Sequence, residues 1–153
     1  MIRVLFVCLG NICRSPMAEA VFMHQVWHAK LEGLVEADSA GIGNWHAGEL
    51  PHHGTRRVLA REGVECTHRA RQIRPRDLMD FDYVIAMDEE NLAELRSLGK
   101  GPAKMGLLMD YAPELGVSEV PDPYYTGRFD EVYRLVSVAT ARLLESIRRE
   151  GGF

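Results

Sequence analysis

The segment Cys8-Leu9-Gly10-Asn11-Ile12-Cys13-Arg14-Ser15 separates a thiol from a guanidinium by five residues. It follows a short apolar run and precedes Ser15-Pro16, a pair that reads as a hydroxyl N-cap with proline at the first helical position. A loop between a buried strand and a helix N-terminus is an anion site. Its successive N–H groups form a nest, and the helix dipole adds positive potential at the same place. Gly10 allows backbone shapes closed to other residues, and Asn11 is among the few that tolerate a left-handed conformation. Arg14 offers a fork of donors matched to two oxygens of a phosphate. Cys8 at the floor of this bowl favours its thiolate form. A thiolate beside an Arg-held phosphate makes a covalent phosphocysteine accessible. The segment lacks the Gly-Lys-Ser/Thr of a nucleotide-binding loop.

The elements that must position these residues follow from pattern. Ile2–Cys8 is a continuous β-rich apolar run, read as a strand buried on both faces. A helix is expected from Ser15-Pro16 to about Leu31, a second strand over Leu34–Ser39 ended by Ala40-Gly41, and a short helix over His53–Glu62. A helical turn over Arg74–Asp80, a strand over Tyr83–Met87 and a helix over Asp88–Ser97 capped by Asp88 come next. Lys104–Leu108 reads as a weak strand, and Asp110–Arg128 as a long Pro- and Gly-containing connection. A final helix spans Phe129–Glu150, with Phe129, Val132, Val136, Ala139, Leu143 and Ile147 on one stripe and Gly151 as its stop. Short apolar strands alternating with helices predict an α/β fold, a doubly wound four-stranded parallel sheet with helices on both faces. Ligands then bind outside the carboxyl ends of the strands, where the topology gathers Cys8, Ser39 and Asp122.

At 153 residues the chain is expected to form a single domain, residues 1–153, with no internal repeat or low-complexity segment. Its net charge of −4 disfavours nucleic acid as a partner. The longest apolar run, Val4–Gly10, is seven residues, against the ~20 that span a bilayer, so no membrane partner is expected. Three cysteines, Cys8, Cys13 and Cys66, do not make a disulfide framework, which suits a cytoplasmic setting. Pro121-Asp122-Pro123 is turn chemistry with a carboxylate in it. His46, His52 and His53 read as solvated histidines rather than a metal site. Arg69, Arg71, Arg74 and Arg76 read as a solvated basic face.

Val7-Cys8-Leu9-Gly10-Asn11-Ile12-Cys13-Arg14-Ser15-Pro16 resembles the signature of the low-molecular-weight protein tyrosine phosphatases. Asp122-Pro123-Tyr124-Tyr125, Asp38-Ser39-Ala40-Gly41 and Phe81-Asp82-Tyr83-Val84 match the family's further motifs in order. The resemblance covers essentially the whole chain. It implies a Rossmann-like fold of the phosphotyrosine phosphatase type and hydrolysis of phosphotyrosine on proteins or peptides, with no metal and no cofactor. By the same resemblance Cys8 attacks phosphorus while Arg14 and the amides of Leu9, Gly10, Asn11, Ile12 and Cys13 hold the phosphate. Asp122 serves as general acid and then base. Ser15 hydrogen-bonds the Cys8 sulfur, and Asn11, with Ser39 and His68 behind it, holds the loop. Ile12, Trp45, Tyr124 and Tyr125 wall the cleft, and phosphate, sulfate or vanadate are expected pocket anions.

Cys13 has two readings, a redox partner that protects Cys8 or a small core-facing hydrophobe. Arsenate reduction resembles a relay needing further cysteines, and none follows Cys66. Protein-arginine phosphatases resemble this chain but carry Thr where Ile12 stands. A phosphocysteine carrier would protect its phosphoryl group, whereas Arg14 with Asp122 favours turnover.

Overall fold

The computed structural model describes all residues, Met1–Phe153. Four parallel strands, β1 (Ile2–Cys8), β2 (Val35–Gly41), β3 (Tyr83–Ala86) and β4 (Lys104–Leu107), lie in the order β2-β1-β3-β4. The helices are α1 (Arg14–His28), α2 (His53–Arg61), α3 (Asp77–Asp80), α4 (Glu89–Leu98), α5 (Pro123–Thr126) and α6 (Phe129–Gly151). Two short 3-10 turns, Leu108–Tyr111 and Pro113–Leu115, interrupt the connection after β4. This is the doubly wound parallel sheet that the alternation predicts, and the Rossmann-like fold that the resemblance implies. No helix is long and apolar enough to cross a membrane.

The alternation along β1 explains the two layers of core. Val4, Phe6 and Cys8 face α1 and α6, with Phe6 edge-on to Phe22 at 5.5 Å. Leu5 and Val7 face the other way, onto Leu78, Leu92 and Leu95 from α3 and α4. Each such fully buried side chain stabilises the fold by roughly 1.5–3 kcal/mol relative to exposure. The α6 stripe is buried throughout, as its 3.6-residue period requires.

Three of the boundaries that differ from the sequence reading bear on the site. Helix α1 starts at Arg14, not Pro16, and no side chain caps it. Ser15 has another use for its hydroxyl, and Pro16 still fits because the first four helical N–H groups lack partners anyway. The helix ends at His28 rather than Leu31. Strand β2 continues through Ala40 and Gly41, which pair with Val7 and Cys8 of β1. Strand residue 41 is glycine because the loop after β1 lies on it: a Cβ there would come within 3.0 Å of the Gly10 carbonyl carbon and 3.1 Å of Asn11.

Candidate active site

The loop after β1 closes over the N-terminus of α1 and lines a cavity of about 240 Å³. Cys8 lies at its floor, 2% exposed. Of the residues singled out by sequence, Leu9, Gly10, Ile12, Cys13, Arg14, Trp45, Asp122, Tyr124 and Tyr125 share this lining. Trp45, Tyr124 and Tyr125 stand exposed at the rim, the two tyrosines edge-to-face at 5.3 Å. A Cβ on Gly43 would run into the Trp45 ring, so glycine there is what lets the indole fold over its own loop. Gly10, by contrast, has no positive φ; the left-handed residue is Asn11, at φ 58°. Glycine at position 10 answers to space, since a Cβ would sit 3.2 Å from the His46 ring.

Asn11 fastens that loop from beneath. Its Nδ2 donates to Ser15 Oγ at 2.8 Å and to Ser39 Oγ at 3.0 Å. The Ser15 hydroxyl, having accepted from Asn11, is free to donate to Cys8 Sγ at 3.0 Å. Asn11 Oδ1 accepts from the Arg71 backbone N–H at 3.0 Å and faces His68 Nε2 at 2.7 Å. An amide oxygen only accepts, so His68 Nε2 carries the hydrogen.

On its far side His68 Nδ1 lies 3.1 Å from Glu19 Oε1, which also accepts from Ser39 Oγ at 2.7 Å. With Nε2 protonated, that contact requires one proton shared between the imidazole and the carboxyl group. Burial pushes the Glu19 carboxyl up to about 7 and pushes His68 down. Glu19, Asp38 and His68 bring one ligand atom each within 4.8 Å of one another, but Ser39 and Arg71 already engage the two carboxylates. The shift carries a pH consequence. The folded-state pKa of Glu19 lies above its ordinary 4.5, so its contribution to stability is present in acid and lost as pH rises through about 7. His68, held down by burial, contributes the opposite slope in both proteins, so in denaturant melts from about pH 5 to 8 the wild type loses stability relative to Glu19→Gln as pH rises. Equal slopes in the two proteins would remove Glu19 as the titrating group.

Arg14 is 3% exposed, and Asp88 and Asp122 hold it between them. Its Nη1 donates to Asp88 Oδ2 at 2.6 Å and to the Val120 carbonyl at 3.1 Å, while Nη2 lies 3.5 Å from Asp122 Oδ2. Asp122 caps α5 by accepting from the Tyr124 N–H at 3.1 Å, so it serves as a turn residue and a pocket carboxylate at once. The sequence places Asp88 at a helix cap and gives no sign of its bond to Arg14. Oδ1 does accept from the Asn91 N–H at 2.8 Å, and the second oxygen is what orients Arg14.

Two further readings change. Arg71 is half-buried rather than solvated, donating to Asp38 at 3.1 Å and to the wholly buried Asp77 at 3.1 Å. Burial works against the Asp77 charge, yet Arg71 and the Arg74 backbone N–H hold its carboxyl below the ordinary value. Two of the three histidines are also engaged, His46 in the pocket lining and His52 as the cap of α2, accepting from the Gly54 N–H at 3.0 Å, while His53 is exposed as expected. Cys13 lines the pocket and packs into the larger core at 4% exposure. Burial, with Cys8 nearby, pushes its thiol up to about 12.

A thiol under an Arg-anchored anion loop, with a carboxylate across the cavity, is a phosphoryl-transfer arrangement. Residues 3–152 match the sequence profile described as low molecular weight phosphotyrosine protein phosphatase. The chain belongs to that family. It is 52% identical to the low molecular weight protein-tyrosine-phosphatase YfkJ of Bacillus subtilis, across 98% of each chain. The crystal structure of YfkJ superposes with a TM-score of 0.95, covering 98% of this chain and 96% of that one. A Streptomyces coelicolor low molecular weight protein-tyrosine-phosphatase is 47% identical, over 97% of this chain and 94% of the relative. The family is cysteine-dependent and works through a phosphocysteine, which fits the positions of Cys8 and Arg14.

Proposed function

We propose that the protein hydrolyses phosphotyrosine on proteins or peptides, and small aryl phosphates, through a phosphocysteine at Cys8. The observation that carries this reading is the single cavity in which Cys8, Arg14 and Asp122 meet beneath exposed aromatic side chains. Cys8 Sγ attacks phosphorus, forming S–P as the P–O bond to the phenol breaks. Asp122 gives its proton to the departing phenolate oxygen. Arg14 and the loop N–H groups hold the three remaining oxygens, where charge is spread in transfer. A water then forms the new O–P bond, S–P breaks, and Asp122 recovers a proton from that water. Ser15, Asn11, Ser39 and His68 keep the loop and sulfur in register, and inorganic phosphate, sulfate or vanadate compete for the same bowl.

Residues 1–153 act as one catalytic unit in this reading, in a reducing, cytoplasmic setting where Cys8 stays unoxidised. Under oxidation Cys13 is the neighbouring thiol that Cys8 meets.

The test is steady-state hydrolysis of matched phosphotyrosine, phosphoserine and phosphoarginine peptides. Cys8 is buried and the aromatic rim is exposed, so a long flat side chain reaches the sulfur and a short one does not. Phosphotyrosine is expected to exceed phosphoserine by at least about 100-fold in kcat/KM, the scale on which misplacing reacting atoms by an ångström costs rate. Equal rates would contradict the cleft geometry. The phosphoarginine arm has a specific reason: a Drosophila arginine phosphatase superposes with a TM-score of 0.89 at 35% identity, covering 95% of this chain and 97% of that one. Ile12 in the pocket wall makes phosphotyrosine the preferred substrate here. A phosphoarginine rate above the phosphotyrosine rate would reverse the assignment.

A further inference from the structure

A second groove, about 730 Å³, opens from the wall of the catalytic cavity and shares Ile12, His46 and Tyr124 with it. Beyond those shared residues it is lined by His53, Arg56 and Arg69, with Glu49 as its one carboxylate. Glu49 is engaged by His46 at 3.2 Å. Arg56 and Arg69 are exposed, and no carboxylate lies within ion-pair distance of either, whereas Arg3, Arg61, Arg71 and Arg142 all have such partners. Neither arginine is loose. Arg56 Nε donates to the Pro51 carbonyl at 2.9 Å, and Arg69 Nη1 to the Gly48 carbonyl at 3.0 Å. The loop that supplies these carbonyls is itself clipped down: the Gly48 N–H donates to Ala70 at 2.8 Å and the Ala70 N–H to Glu49 at 2.9 Å. Two guanidiniums are thus held at a fixed edge beside the phosphate bowl, each with N–H donors left over.

The opposite flank has the reverse charge. The cavity past Asp122 is lined by Asp88, Glu119, Asp122 and Glu131, and its one cation, Arg14, is turned inward. In a chain of net charge −4, the mouth of the site is positive on one side and negative on the other. A polypeptide anchored by its phosphotyrosine lies across this mouth, and its neighbouring side chains meet one flank or the other.

We propose that the Arg56/Arg69 groove is a specificity subsite for acidic side chains adjoining the phosphotyrosine of a polypeptide substrate, an inference that rests on the phosphotyrosine reading above. Asp and Glu of the substrate pair with the two guanidiniums, while Lys and Arg on that side are repelled. Exposed pairs are individually weak, each worth a factor of about two to five. Two acting together give a preference of about five- to ten-fold, which salt screens.

The experiment compares kcat/KM for phosphotyrosine peptides with two Glu or two Lys placed before, or after, the phosphotyrosine, alongside 4-nitrophenyl phosphate. In at least one of the two placements the acidic peptide exceeds the basic one by about five-fold or more at low salt, and the ratio shrinks toward one near 0.5 M salt. The charge reversal Arg56→Glu/Arg69→Glu brings that ratio to one or inverts it, and Arg56→Gln/Arg69→Gln gives an intermediate value should the reversal fold poorly. Turnover of 4-nitrophenyl phosphate with a wild-type ratio near one in both placements defeats the subsite and leaves the phosphatase reading standing. The same holds for a ratio that the arginine variants leave unchanged. Failure on every substrate, 4-nitrophenyl phosphate included, defeats both readings together.

Discussion

Replacing Cys8 with serine lowers phosphotyrosine turnover by at least about 10⁴-fold while phosphate still binds, the scale of loss when a covalent nucleophile is removed. The two halves of this result come from different atoms. Turnover needs a sulfur anion, and the nearest donor to it is the Ser15 hydroxyl at 3.0 Å. A serine oxygen in that place keeps its proton at neutral pH, because nothing within reach is a base strong enough to take it: its neighbour is another hydroxyl. Anion binding rests instead on the loop N–H groups, the N-terminus of α1 and Arg14, none of which the substitution touches. The substituted hydroxyl also has a partner waiting in Ser15, so the cost of burying a polar group at a 2% exposed position is largely offset. Calorimetric titration with phosphate, run beside the turnover assay, separates the outcomes. Activity within ten-fold of wild type would remove Cys8 as nucleophile. Loss of phosphate binding along with turnover would mean that the loop itself had collapsed.

What the sequence made legible here was whatever a local pattern specifies on its own. An apolar run ending in a Cys, with Arg six positions on, is enough to place β1, its loop and the start of a helix. The alternating strands and helices around them are enough for the sheet. Misreadings fall where one side chain answers to a distant partner. Ser15-Pro16 has the form of a cap, yet the Ser15 hydroxyl is engaged by Cys8 and Asn11. Gly41 reads as a strand breaker, whereas it is the residue on which the loop backbone rests. Arg71 sits in a run of basic residues, and only the folded chain shows Asp38, 33 positions earlier, beneath it. Asp88 reads as a cap, and its second bond, to Arg14 74 positions away, has no local signal. His46 had no signal beyond its histidine-rich loop, and its place on the wall shared by both cavities appears only in three dimensions.

Asp122 is the residue whose substitution separates the two chemical steps. Losing a general acid costs about 10²- to 10⁴-fold, and the cost is greatest for a leaving group that is a strong base. Tyrosine's phenolate, with a pKa of about 10, is such a group, so Asp122→Ala suffers most on phosphotyrosine. A 4-nitrophenolate leaves without help, and its expulsion from Asp122→Ala is slowed far less. The second step then has no carboxylate to take a proton from water, so phosphocysteine accumulates. The expected record is a burst of 4-nitrophenol near one per active site followed by a slow steady state. Asp122 also caps α5 through the Tyr124 N–H and lies 3.5 Å from Arg14, so alanine alone would confuse proton transfer with positioning. Asparagine resolves this, because its side-chain oxygen keeps the cap while no proton can be given or taken. Asp122→Asn is therefore expected to match Asp122→Ala in rate and burst while melting closer to the wild type. Near wild-type turnover in Asp122→Asn would show that the carboxylate only holds Tyr124 and Arg14 in place, and the acid would have to be sought elsewhere on the pocket wall.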